Sequence, residues 1–378
     1  MKGSESAHKP IVLAVARWPV GGIRTYLRDL FAAPALRDYS FVLVAPNEVA
    51  LDRYVADGQL ACEWIAAGNS IHKMTQAVWA ASRRLRPELV HSHGFVSGVI
   101  SGLAQTLTGL PHLLTVHDLV FDGQFEKHGG QLGKLALGAS LIPPSYIHCV
   151  TRDSRDNLLT RYPWLTGLKR KTVVIPHGVN TAKIERASMV DIGAELGCSP
   201  DTVIFGFLGR FMAQKGFGVL VDAVEILAKN GLSPSRARVL AVGSGGYVRE
   251  ERARVTALGL EKFFAFWPYQ PDIVPILKGI HCLVMPSLWE ASGILAMEAM
   301  VAGTPVIGSN CVGLRETLAE SPSVTVSPND PAALSEALAR FVAHPDSQAA
   351  AQFQSAAAQR FSAERSFTDL RSLNDRVN

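Results

Sequence analysis

The 378-residue sequence contains no run of about 20 consecutive apolar residues, so no membrane-spanning helix is expected. Its first residues, MKGSESAHKP, lack the apolar stretch and small-residue cleavage site of a secretory signal. Cysteine is scarce. Cys62, Cys149, Cys198, Cys282 and Cys311 are odd in number, widely spaced and form no CxxC pair. That argues against a disulfide framework or a zinc knuckle and points to a reducing, cytoplasmic compartment. Five like charges never stand in a row. The patterns G-x-S-x-G, G-x-x-x-x-G-K-[ST] and H-E-x-x-H are absent, which removes hydrolase, phosphate-loop and zinc-protease signatures.

What is present is an ordinary globular composition: 48% hydrophobic, 19% charged and 8% aromatic residues. The length exceeds what one core usually supports, so two domains are expected. The net charge of +4 is unevenly divided. Residues 1–178 carry 19 Lys and Arg against 13 Asp and Glu, whereas residues 179–378 carry 18 against 20. A basic first half suggests an anionic partner such as an acidic membrane face or a phosphorylated acceptor, beside the plainer reading of scattered solvated cations.

Short β-rich apolar runs alternate with helical patterns. Strands are expected at Ile11–Ala16, Phe41–Ala45, Leu89–His91, Leu113–Val116, Ile147–Val150, Val203–Leu208, Val239–Val242, Cys282–Met285 and Pro305–Ile307. This alternation predicts βαβ units in parallel sheets buried on both faces. The polar stretch Pro176–Pro200 reads as a linker, giving two doubly wound α/β domains with ligands at the carboxyl ends of the strands. The tail from about Asp330 reads as packing helices.

The strongest constellation follows the strand Cys282–Met285. Gly293 marks a loop-to-helix turn, and from Ile294 to Ala302 only Glu298 is polar, so that helix should be buried all round. A buried carboxylate needs a partner, and Glu290 precedes a helix start that favours anions. Two carboxylates flanking such a start suit a ligand with a central phosphate and hydroxyl-rich ends, a nucleotide-sugar. A helix cap at Glu290 and a structural ion pair at Glu298 are the alternative. Arg210 and Lys215, beyond the strand Val203–Leu208, can neutralise a diphosphate and stabilise it as a leaving group; they can equally be surface cations. Gly243-Ser244-Gly245-Gly246 fails the dinucleotide fingerprint because residue 248 is Val. Gly21-Gly22 is a comparable turn in the first half. His91 and His93 have metal-pair spacing without a third ligand. His117, directly after a strand, is placed to hydrogen-bond a sugar hydroxyl, or is a satisfied structural histidine.

In order along the chain, Gly21-Gly22, Thr115-Val-His117-Asp118, Val174-Ile-Pro-His-Gly-Val179-Asn180, Gly209-Arg210…Lys215-Gly216, Val242-Gly243-Ser-Gly245 and Pro286-Ser287-x-x-Glu290…Glu298-Ala-Met-Val-Ala-Gly303-Thr-Pro305-Val306 resemble the retaining glycosyltransferases of family 4. The resemblance covers about residues 10–362. It implies the GT-B fold, an α/β architecture of two Rossmann-like parallel-sheet domains facing a central cleft. The boundaries expected are 1–178 for an acceptor-side domain, 179–360 for a nucleotide-sugar domain, and 361–378 for a helix returning to the first.

By the same resemblance Glu290 and the backbone of Ser292, Gly293 and Ile294 contact the donor sugar and diphosphate. Glu298 takes the ribose, Arg210 and Lys215 take the diphosphate, and Gly22 and Gly243 border the phosphates. The backbone around Trp267–Tyr269 meets the base, and His117 approaches the transferred sugar. Glu290, His117, Arg210 and Lys215 are the candidate catalytic residues. The implied reaction retains anomeric configuration and needs no cofactor or metal. The donor is a UDP-sugar rather than a GDP-sugar, and the acceptor a glycan or lipid-linked saccharide in bacterial surface polysaccharide synthesis. Peripheral contact with the inner face of the cell membrane is expected and nucleic acid is not. A nucleotide-sugar epimerase and a non-catalytic nucleotide-sugar-binding subunit are the rival readings. Ala291-Ser292-Gly293 and Val312-Gly313 depart from the family's usual Gly-Phe-Gly and paired glycines, and the loop Phe121–Ser145 is expected on the acceptor side.

Overall fold

Aliphatic strands separated by helices close onto two parallel sheets in the computed structural model, which describes residues 9–377 apart from 48–50, 52–54, 59, 122 and 124–129. Much of the loop expected on the acceptor side, 122 and 124–129, thus lies outside the described residues. The chain forms two units, residues 1–177 with 363–378, and residues 178–362.

The first unit holds β1 (Ile11–Ala16), β2 (Ser40–Pro46), β3 (Glu63–Ala67), β4 (Leu89–His93), β5 (His112–Val116), β6 (Tyr146–Cys149) and β7 (Thr172–Val174). Their order is β3-β2-β1-β4-β5-β6-β7, with every pairing parallel. The interior strands β1, β4 and β5 are buried almost end to end, because crossover helices cover both faces. Chain direction across the sheet reverses between β1 and β4, which is where ligands of such sheets collect.

The second unit repeats the plan with β8 (Val203–Leu208), β9 (Ala237–Val242), β10 (Phe264–Trp267), β11 (Cys282–Met285), β12 (Val306–Ser309) and β13 (Val324–Val326). The order β10-β9-β8-β11-β12-β13 puts its switch point between β8 and β11. One face is filled by Phe205, Phe207, Phe211 and Phe217. The other is filled by Leu208, Leu283, Met297 and Met300.

The boundary between the two units, at His177 and Gly178, falls at the start of the stretch expected as a linker, and most of that stretch is folded. From Gly178 onward it belongs to the second unit and forms helices Thr181–Arg186 and Ile192–Glu195, with Ile184 and Ile192 in the core. Two of its polar residues are helix caps: Asn180 accepts from the Lys183 amide and Asp191 from the Ala194 amide. Part of the polarity that resembled a linker is capping chemistry. The last helix, Ala363–Val377, packs with the first unit through Phe367, Leu370 and Leu373. The Ser366 hydroxyl donates to the Pro176 carbonyl at 2.7 Å, and the Tyr39 hydroxyl to Asp375 at 2.8 Å.

Candidate functional site

The carboxyl edges of β8, β9, β10 and β11 carry most of the residues singled out from the sequence. After β8 the chain turns through Gly209 and Arg210, drops Phe211 into the core, and makes a short 3-10 turn, Ala213–Lys215, before the helix Phe217–Lys229. After β11 it runs through Ser287–Ser292 to Gly293, whose φ of 72° makes it the N-cap of the nine-residue helix Ile294–Ala302. Because β8 and β11 are neighbours, these two loops meet. The Leu288 amide donates to the Gln214 carbonyl at 2.8 Å, and the Gln214 side-chain amide donates to the Trp289 carbonyl at 2.9 Å.

That stitching brings Lys215 Nζ to 2.6 Å from Glu290 Oε1. The Glu290 carboxylate is only 8% exposed and also accepts a 2.8 Å hydrogen bond from Ser287 Oγ. A buried carboxylate with a cation and a hydroxyl on one oxygen is compensated. The Lys215 side chain is 25% exposed, and an ammonium has three donors, so N–H groups remain for a ligand. Arg210 is exposed and has no pairing partner among the described residues.

The other loops are tied to the same edge. The Gly209 amide donates to the Val242 carbonyl, Phe211 to the Ser244 carbonyl and Gly243 to the Trp267 carbonyl at 3.1 Å. Gly243 has φ 151°, and a Cβ there would overlap the Gly209 carbonyl oxygen, so this approach of β8 and β9 requires glycine. Trp267 is half-buried at the end of β10, and Tyr269 is exposed just beyond it. Ser292 is buried, its carbonyl accepting from the Thr317 hydroxyl.

Two readings need correction. The helix Ile294–Ala302 is not buried all round: Ile294, Leu295, Glu298 and Ala302 are only partly buried and share one face, so Glu298 is half-buried on an open side. The apolar pattern overstated burial because Ile294, Leu295 and Ala302 pack on the core while staying partly exposed on that face. Gly21, with φ 55°, is the N-cap of the helix Gly22–Phe31, so Gly22 is its exposed first residue and not part of the turn. The sequence reading also missed Ser287 and Gln214. Ser287 stood in a quoted motif without a role, and Gln214 acts through a loop contact that no local pattern signals.

His117 follows β5 in the first unit and is half-buried. Its Nε2 lies 3.2 Å from Nδ1 of His93, its ring stacks on His177 at 5.3 Å, and Tyr26 meets it edge-on at 5.0 Å. His91 makes a 2.7 Å contact from Nε2 to Thr115 Oγ1. Burial, and then neighbouring imidazoles, hold His91, His93, His117 and His177 well below the ordinary histidine range. Burial brings His148 down to about 4, opposed by its bond to the Ile175 carbonyl. Burial first, and then Lys171, bring His112 down to about 3. All six are therefore neutral near pH 7. Among the described residues, no group of three His, Cys, Asp or Glu is arranged to hold a metal.

Comparison with known proteins fits this geometry. Residues 192–360 match the family described as Glycosyl transferases group 1, and residues 20–183 match Glycosyltransferase Family 4. An alpha-maltose-1-phosphate synthase of Mycolicibacterium smegmatis is 30% identical over 279 residues, covering 68% of this chain and 70% of that protein. The chain belongs to the family 4, group 1 glycosyltransferases. A 2-deoxystreptamine N-acetyl-D-glucosaminyltransferase of Streptomyces fradiae is also 30% identical, over 72% of this chain and 66% of its own length. An Escherichia coli UDP-Gal:alpha-D-GlcNAc-diphosphoundecaprenol alpha-1,3-galactosyltransferase is 28% identical over 60% of this chain and 58% of its own. Anabaena Alr3699/HepE, solved with UDP and glucose, superposes with a TM-score of 0.82 at 19% identity, covering 97% of this chain and 100% of that one. The glycosyltransferase has the GT-B fold, with one seven-stranded and one six-stranded parallel sheet.

Proposed function

We propose that this glycosyltransferase moves a sugar from a nucleoside-diphosphate sugar, a UDP-sugar in first place, to a saccharide or lipid-linked acceptor with retention and without a metal. The observation that carries this reading is the Lys215–Glu290 pair at the β8/β11 switch point, with the exposed Arg210 on the same strand end. Arg210 and Lys215 hold the diphosphate, together with the uncapped amino end of the helix Ile294–Ala302. Glu298 takes ribose hydroxyls, Glu290 the donor sugar, and the Trp267–Tyr269 backbone the base. Gly22 and Gly243 border the phosphates, and His117 hydrogen-bonds the transferred sugar. In the reaction the bond from the anomeric carbon to the phosphate oxygen breaks, and the acceptor hydroxyl attacks on the same face. Its proton passes to the departing phosphate oxygen. The two cations stabilise the negative charge that gathers there, the role a divalent ion would otherwise fill.

An acceptor presented at an anionic membrane, and so a place on its inner face, is supported by one surface of the first unit. Leu132 and Leu135 on the helix Gly130–Ser140 are 77% and 54% exposed, and Ile142 and Trp164 are 60% and 50% exposed. Residues 130–171 carry seven Lys and Arg against two Asp, with Lys169 and Arg170 exposed. Apolar side chains beside cations suit a bilayer with acidic headgroups.

The test is product analysis with a panel of nucleotide-sugars, with and without saccharide acceptors, in chelator. Transfer with retained configuration supports the reading. An altered sugar formed without acceptor indicates an epimerase, and binding without turnover indicates a non-catalytic subunit. Sedimentation with acidic against zwitterionic vesicles tests the membrane arm, with binding to neither kind contradicting it.

A further inference from the structure

His93 ends β4, is 2% exposed, and its Nε2 has no hydrogen-bond partner. Its Nδ1 meets His117 Nε2 at 3.2 Å. The neighbouring chain of His148, Thr115 and His91 has one polarity. His148 Nε2 lies 2.7 Å from the Ile175 carbonyl oxygen, which only accepts, so Nε2 carries the proton. Neutral His148 then offers a lone pair at Nδ1, and Thr115 donates its hydroxyl proton there over 3.0 Å. The one hydroxyl proton is thereby used, so His91 Nε2–H is the donor across the 2.7 Å contact to Thr115 Oγ1. Every proton in this chain has a fixed place.

The His93–His117 pair has two neutral arrangements. If His117 Nε2–H donates to His93 Nδ1, His93 buries an N–H at Nε2 with no acceptor. If His93 Nδ1–H donates to His117 Nε2, His93 buries only an unused lone pair at Nε2. Buried orphan N–H groups are rarer than under-used acceptors and cost more. The second arrangement wins. It leaves the proton of His117 on Nδ1, which has no hydrogen-bond partner among the described residues. His177 stacked at 27° and the edge of Tyr26 fix the ring plane.

We propose that His93 is a positioning residue that holds His117 as its Nδ1–H tautomer, so that His117 presents a hydrogen-bond donor, and not a base, to an oxygen of the transferred sugar. The assignment of a sugar to His117 rests on the function proposed above; the tautomer does not.

The experiment is 15N-resolved NMR of the imidazoles in the full-length protein, with the His117 signals assigned by His117→Asn. His117 is expected with a protonated Nδ1 and a bare Nε2. His93→Asn keeps an amide N–H where the imidazole donor stood and should preserve that pattern, whereas His93→Leu should yield mixed tautomers. In steady-state kinetics His93→Leu should lower kcat/KM for the donor about tenfold, the scale of one hydrogen bond, with affinity for free nucleoside diphosphate unchanged. His93→Asn should recover most of the loss. A protonated Nε2 on His117 in the wild type overturns the proposal, as does unaltered kcat/KM in His93→Leu when its tautomer has changed. If His117→Asn itself transfers sugar at the wild-type rate, the sugar contact beneath the proposal fails while the tautomer assignment stands.

Discussion

Lys215 and Glu290 are 75 positions apart in sequence and 2.6 Å apart in space, joined because β8 and β11 are neighbours in the second sheet. Lys215→Ala would leave a nearly buried carboxylate held by Ser287 alone. Discounted for the partial exposure of Lys215, the loss should be about 1–3 kcal/mol of unfolding free energy. Adding Glu290→Gln should restore part of it. Urea unfolding of the four proteins of the double-mutant cycle measures the coupling, and additivity within about 0.3 kcal/mol would refute it.

Gly313 is another glycine whose conformation the site requires. Its φ is 82°, and a Cβ would overlap the carbonyl oxygen of Glu290, while the Glu290 amide is held by the Val312 carbonyl at 3.1 Å. Gly313→Ala should destabilise the protein by on the order of 2–4 kcal/mol and reduce turnover by displacing Glu290. An unchanged urea midpoint would show that the loop yields freely.

Glu298 is half-buried on its helix and is proposed to take the ribose hydroxyls. Glu298→Gln should weaken nucleoside diphosphate binding about tenfold and lower the unfolding free energy by no more than about 1 kcal/mol, since the amide oxygen still accepts hydrogen bonds. Calorimetric titration checks the first number and thermal unfolding the second. Loss of stability without loss of affinity would make Glu298 a structural residue.

The first unit should be the acid-labile one. Its buried histidines are depressed in the folded state, His148 to about 4 and His112 to about 3, while unfolded histidine titrates near 6.5. The unfolded chain therefore binds more protons between about pH 6.5 and 4. Stability is full above that window and falls as pH drops through it, by up to about 1.4 kcal/mol per pH unit for each such histidine. Hydrogen exchange at pH 7 and pH 5 should show protection lost in β4, β5 and β6 before β8, β9 and β11. Equal loss in both sheets would contradict this.

The sequence was legible where burial is two-sided. The nine strands expected from apolar runs, β1, β2, β4, β5, β6, β8, β9, β11 and β12, are the interior strands of the two sheets. The four it did not reveal, β3, β7, β10 and β13, are the four edges. EWIAA and VTV are part-exposed, as edge strands are, and such short mixed runs carry no continuous apolar signal. The start and end of the helix Ile294–Ala302 were readable because glycine marks both with a positive φ. The Lys215–Glu290 pair was not readable, since it depends on which strands are adjacent and not on any local spacing. Nor was the histidine chain, where residues from β4, β5 and β6 meet only across the sheet.

The most direct measurement is calorimetric titration of UDP, with GDP in parallel, into the protein in EDTA, for the wild type and Arg210→Ala. Nucleoside diphosphate should bind the wild type without any divalent ion, and Arg210→Ala should weaken it at least tenfold. Binding that appears only when a divalent ion is added, or that ignores the loss of Arg210, would contradict a diphosphate held by this chain's own cations.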